Sequence, residues 1–189
     1  MELFDICDEK GIPTGRVTDR KTAHREGILH RTAHIWIVRK SPDGRTEILL
    51  QKRAACKDSF PGEYDTSSAG HITAGDEPLH GALRELSEEL GIFAAPEDLH
   101  FAGNFRIQYE LPFHGEMFRD NEVTFVYVYG GSVAIDRLHL QPEEIECVEW
   151  FSLDEVWESC QNGSRIVNGR MICVPDGGLQ VLRRYLGVE

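Results

Sequence analysis

The sequence has no Cys-x-x-Cys pair; Cys7, Cys56, Cys147, Cys160 and Cys173 are scattered over 189 residues. That spacing excludes a disulfide scaffold and a zinc knuckle, and free thiols suit a reducing compartment. Long apolar runs are missing too. Stretches such as IWIV, Ile35 to Val38, have strand length, far below the roughly 20 residues of a membrane helix. The N-terminal MELFDICDEKG lacks the basic and apolar regions of a signal peptide, so a cytoplasmic location with no membrane partner is expected. Basic residues are scarce: 20 Lys and Arg stand against 32 Asp and Glu, a net charge of -12. With no basic run to override it, this field repels nucleic-acid phosphates and leaves no nucleic-acid partner in view. Repeats and low-complexity tracts are absent.

What is present is enough for a packed core. Hydrophobic residues make up 41 % against 28 % charged, which favours one globular unit over disorder. An acidic protein that acts on an anion must neutralise its own carboxylates, and a divalent cation is the usual means. Residues Leu3 to Val17 read as two strands around the turn DEKGIP, and TDRKTAHREG as a short helix or capped turn ending near Gly27. Residues 1–29 are therefore an N-terminal hairpin extension, and 30–189 the main domain with a C-terminal helix. RTAHIWIVR and EILLQKR flank SPDG as a hairpin. LHFAGNFRIQYEL, NEVTFVYVYG and EIECVEWF read as further strands, with YELPFHGEMFRD as a loop. SLDEVWESC, capped by Ser152, and GGLQVLRRYLG read as helices. Strands interleaved with helices indicate an α/β fold with a mixed sheet.

The chemistry concentrates on one helix. Leu79, Leu83, Leu86 and Leu90 form an apolar stripe, with Asp76 as the expected N-cap, Pro78 in the first turn and Gly91 as the C-terminal cap. Glu85, Glu88 and Glu89, at i, i+3 and i+4, are expected together on the face opposite the leucines. Alone, this is an acidic solvent face. A second acid pair, Asp120 and Glu122 at i and i+2, shares one face of a strand. Lys52 and Arg53 follow a strand and serve either as phosphate contacts or as a solvated strand end.

The whole string from Gly70, GHITAGDEPLHGALRELSEELGI, resembles the Nudix box G-x5-E-x7-R-E-U-x-E-E-x-G-U. It matches at Gly70, Arg84, Glu85, Leu86, Glu88, Glu89, Gly91 and Ile92 and departs where Asp76 replaces the first glutamate. The resemblance implies a Nudix-type α/β/α sandwich and a pyrophosphohydrolase acting on phosphoric anhydrides with Mg²⁺ or Mn²⁺. It implies Glu85, Glu88, Glu89 and the Gly70 carbonyl as metal ligands, with Glu88 or Glu89 as general base. Arg84 would orient these acids, and Glu122 is the candidate carboxylate from outside the box. The expected partner is a small diphosphate, a nucleoside diphosphate derivative or an isoprenyl diphosphate; monomer and symmetric homodimer both stay open.

FDICDEKGIPTGRV, AHREGILHR and KDSFPGEYDTSSAGH extend the resemblance to the type 1 isopentenyl diphosphate isomerases and the Nudix hydrolases grouped with them. The resemblance places His24, His30, His71, Asp120 and Glu122 at the positions of a second, histidine-containing metal site, with pocket hydrogen bonding or phosphate contact as the other uses of His30 and His71. Ala69 stands where the isomerase cysteine would be, and a methyl group cannot transfer a proton. The box itself is intact, so hydrolysis leads, with isomerisation and a non-catalytic diphosphate-binding module as alternatives. His34 reads as a packed strand residue, and His80, His100, His114 and His139 as surface positions.

Overall fold

A computed structural model describes residues 2–188. Strands β1 (Leu3–Cys7) and β2 (Pro13–Asp19) pair as an antiparallel hairpin. Helix α1 (Arg20–Glu26) follows at once, since Asp19 accepts a hydrogen bond from the Thr22 N–H and Gly27 closes the helix in the left-handed conformation. Strands β3 (His30–Lys40), β4 (Thr46–Arg53), β5 (Tyr64–Asp65) and β6 (Ser68–His71) precede helix α2 (Pro78–Leu90). Next come β7 (Leu99–Phe113), β8 (Glu116–Tyr129), β9 (Ile145–Ser152) and α3 (Leu153–Gln161), which Ser152 caps. A small hairpin, β10 (Ile166–Val167) with β11 (Arg170–Met171), leads to α4 (Asp176–Leu186).

Strand β3 is shared between two arms of a seven-stranded mixed sheet. Residues His30 to Ile37 run parallel to β8, and Thr32 to Ile35 also pair with β6 on the other edge. Beyond them, Val38 to Lys40 turn to β4, which carries β5 and β9. The sheet thus forks, and the fork opens a cleft between the arms. Side-chain alternation along β3 feeds two cores. Ala33, Ile35 and Ile37 pack with Ala82, Leu86 and Leu90 under α2, while Trp36 joins Val156, Leu179 and Leu182 under α3 and α4. Helices on both faces of a mixed sheet make the expected α/β/α sandwich.

Two local expectations are corrected. YELPFHGEMFRD is no irregular loop: β7 and β8 continue through it as one ribbon, turning at His114 and Gly115, both with positive φ. That turn matches the strand twist, so the pairing carries on from Leu99↔Tyr129 to Phe113↔Glu116. The cap of α2 is Glu77, without a side-chain bond, in place of Asp76. The loop before the helix is tied by tertiary contacts: Asp5 accepts from the Gly75 N–H, and Arg31 donates to the Asp76 carbonyl. Among the described residues no helix is long and apolar enough to cross a membrane.

Candidate active site

A cavity of about 290 Å³ sits in the fork of the sheet, against α1, α2 and the β7–β8 ribbon. Glu85, Glu88 and Glu89 all line it, but they do not share the face opposite the leucines. At about 100° per residue Glu89 flanks the leucine stripe, and only Glu88 lies fully opposite. Accordingly Glu85 and Glu89 are buried, while the Glu88 side chain is half exposed.

The closeness of helix and strand here depends on Gly70. A Cβ at that position would run into the Glu85 carboxyl, so the absent side chain forms the cradle for this acid. Burial raises Glu85 to about 7 and Glu89 to about 8. Glu89 Oε2 accepts from Ser68 Oγ at 2.6 Å and from the Ala69 N–H at 3.1 Å. Arg84 pairs with Glu85 at 2.7 Å and with Glu88 at 3.0 Å, and donates to the His71 carbonyl. Buried carboxylates on one cavity wall, with Arg84 as their ion-pair partner, suit a hard divalent cation.

Cations ring the same cavity: Arg20, Arg53, Lys57 and Arg84. Arg53 is held by Asp65 and by the Ser59 carbonyl, and Lys57 by Glu144. Lys52 is placed elsewhere. Neighbours on a strand point to opposite faces, so Lys52 leaves the cavity and pairs with Glu146 at 2.7 Å. Arg20 and Lys57 were not identified from sequence. The spacing of Arg20 and His24, i and i+4 on α1, was a readable signal for the first; Lys57, in an irregular loop, offered none.

A second donor set assembles beside the carboxylates. One nitrogen each of His24, His30 and His71 and one oxygen of Glu122 all lie within 4.8 Å of one another. The β3–β8 register sets His30 opposite Glu122, while α1 delivers His24 and β6 delivers His71. Glu122 Oε1 is 3.6 Å from both His30 Nε2 and His71 Nε2, and Asp120 Oδ1 is 3.8 Å from His24 Nε2. These separations are too long for hydrogen bonds. They are near the roughly 3.4 Å between two donors that share one tetrahedral ion. His30 Nε2, His71 Nε2 and Asp120 Oδ1 are buried without a hydrogen-bond partner, so the residues fit a metal.

The electrostatics agree. His24 Nδ1 donates to the Arg20 carbonyl and His30 Nδ1 to the Ile28 carbonyl, which turns each Nε2 toward the cluster. Burial pushes His24 down to about 4 and His71 well below the ordinary histidine value, so both are neutral. Burial, with Glu122 beside it, raises Asp120. Burial works on Glu122 as well, but His30 facing it outweighs that and holds the carboxyl low, so Asp120 and Glu122 titrate as a pair. Thr32 Oγ1 donates to Glu122 Oε2 at 2.9 Å. His34 is buried and borders the cavity, whereas His80, His100, His114 and His139 are exposed.

Comparison with known proteins agrees with this geometry. The NUDIX domain model matches residues 29–167. Nudix hydrolase 3 of Arabidopsis thaliana is 38% identical over 156 residues, 82% of this chain; the chain spans 20% of that longer protein. An uncharacterized Nudix hydrolase of Clostridium acetobutylicum is 36% identical, the alignment covering 82% of this chain and 72% of the relative. An isopentenyl-diphosphate Delta-isomerase of Pectobacterium atrosepticum is 30% identical over 80% of this chain and 76% of its own. Among solved structures, DR0079 from Deinococcus radiodurans shares the fold, with a TM-score of 0.67 at 17% identity, covering 96% of this chain and 98% of that one. With the box helix, the forked sheet and the matched domain in agreement, the chain belongs to the Nudix family of pyrophosphohydrolases, on the branch that resembles the type 1 isopentenyl diphosphate isomerases.

Proposed function

We propose that this protein hydrolyses the diphosphate of a small organic diphosphate, a nucleoside diphosphate derivative or an isoprenyl diphosphate, with Mg²⁺ or Mn²⁺. The observation that carries this reading is that the buried box carboxylates and four cations line one cavity. Glu85, Glu88, Glu89, the Gly70 carbonyl and Glu122 would hold the ion. When bound, it neutralises phosphate charge and lowers the pKa of the attacking water.

The protein's own groups do the rest. Water oxygen bonds to phosphorus as the bridging P–O bond breaks, and the water proton passes to a carboxylate. Glu89 is the first candidate for that role: it lines the cavity, and Ser68 and Ala69 both bond its Oε2 and so fix the carboxyl. Glu88, half exposed and tied to Arg84, is the second candidate. Arg20, Arg53 and Lys57 neutralise the substrate oxygens, and Arg84 keeps Glu85 and Glu88 apart and oriented.

We further read His24, His30, His71 and Glu122, with Asp120 at their edge, as a second metal site. Imidazole with carboxylate suits a transition ion better than Mg²⁺. This cluster is also what favours isomerisation as a second reading, against which stands Ala69 in β6. Mass spectrometry after incubation with Mg²⁺ or Mn²⁺ tests both, using isopentenyl diphosphate and a nucleoside diphosphate panel. Monophosphate products are expected. Dimethylallyl diphosphate would establish isomerisation, and metal-dependent binding with no product would leave a binding module.

A further inference from the structure

The N-terminal hairpin lies outside the matched domain, residues 29–167, yet it reaches the histidine cluster. Phe4 of β1 is fully buried. Its ring stacks on His71 at 4.4 Å and 9° and on His30 at 5.1 Å and 12°, and meets His24 edge-on at 6.4 Å.

The backbone carrying that ring is fastened to the segments that carry both stacked histidines. Leu3 accepts from the Ala74 N–H at 2.8 Å, and Phe4 bridges to Thr73 just beyond His71. Asp5 accepts from the Gly75 N–H at 2.8 Å and pairs with Arg31, the residue after His30, at 2.6 Å.

The three imidazoles differ in what orients them. Ligating histidines usually have the second ring nitrogen held by a carbonyl or carboxylate. His24 and His30 have such a carbonyl. Among the described residues His71 Nδ1 lacks one: it accepts from the Arg20 guanidinium at 3.3 Å, a contact that an ion on Nε2 would give up because Nδ1 then carries the ring proton, and that arginine side chain is itself 44% exposed. The torsion that turns an imidazole is broad, so a ring without an anchor wanders unless packing holds it. The ring with the weakest polar anchor is the one Phe4 contacts most closely.

We propose that Phe4 is a positioning residue for the histidine cluster: its ring sets the plane of His71, in line with His30, so that both Nε2 atoms face Glu122. The proposal rests on reading the cluster as a metal site, and its test separates the two. Co²⁺ is titrated into the metal-stripped full chain and followed by its d–d absorption, for wild type, Phe4→Leu and His71→Ala, with thermal unfolding confirming that each variant is folded. In wild type, bands that weaken in His71→Ala are expected, and Phe4→Leu should bind Co²⁺ about tenfold or more weakly with altered bands.

Unchanged affinity and bands in Phe4→Leu overturn the proposal while leaving the metal site standing. A wild-type protein without histidine-dependent Co²⁺ bands overturns both. Should Phe4→Leu fail to fold, proton NMR of the Zn²⁺-loaded wild type decides. The carbon-bound ring protons of His30 and His71 are expected upfield of those of the exposed His80, His100, His114 and His139, shielded by the Phe4 ring. Resonances among the exposed histidines would show that the loaded rings have left Phe4.

Discussion

The two donor sets share a cavity but are built in opposite ways. Apart from Glu122 on β8, the carboxylate wall comes from one continuous stretch, Gly70 to Glu89, on a strand and the next helix. The histidine cluster draws on α1, β3, β6 and β8, and its donors meet only because β3 pairs with β8 in one register. A local site depends on helix geometry and one close approach; a distributed site depends on the whole sheet and on the hairpin packed against it.

The largest expected effect lies on the carboxylate wall. Glu89→Gln should lower kcat by about 10²- to 10⁴-fold, read from steady-state kinetics with Mg²⁺; turnover near wild type would move the proton-accepting role to Glu88. The two sets should then separate by metal. His30→Ala is expected to weaken Co²⁺ at least tenfold, and Glu85→Gln to affect Co²⁺ less than it affects the Mg²⁺ dependence of turnover, both by titration. Equal effects on both metals would show one merged site.

Gly70→Ala sharpens the contrast. A Cβ there meets the Glu85 carboxyl, so about 1 to 3 kcal/mol of stability should be lost in denaturant unfolding, together with Mg²⁺ affinity. The pH dependence tests the same wall. In the folded, metal-free protein Glu85 rises to about 7 and Glu89 to about 8, from 4.5. Between these limits the folded state keeps protons that the unfolded chain has released. This contribution to stability is therefore complete below about pH 4.5 and is lost as pH rises through about 7 and 8. Thermal unfolding in a chelator should show the decline, with a shallower slope in Glu89→Gln. The smallest effect belongs to Lys52→Ala, within about 0.5 kcal/mol and with KM unchanged, whereas Arg53→Ala should raise KM in the same assay.

The lysine and arginine pair shows how far sequence reading reached. Lys52 and Arg53 are adjacent in a strand, and the period of two already implies that they part. Which of them faces the cavity depends on which side of β4 the fork opens. The glutamates teach the same. Their spacing identifies the helix, but the burial of Glu89 follows from the sheet beneath it, which strips its water and raises its pKa. The β7–β8 ribbon was missed because Pro112, His114 and Gly115 read as loop residues, while cross-strand pairing carries the strands through them.

By itself the sequence determined the family, the box helix with Gly91 closing it and the hairpin ahead of β3, because these rest on motif spacing and local chemistry, and the family resemblance supplied the residues proposed for both donor sets. Tertiary structure alone decided that Phe4 stacks on His71, that Arg20 and Lys57 join the cavity and that Lys52 leaves it. Those outcomes depend on contacts between residues far apart in the chain, and no local spacing encodes the register and packing that bring them together.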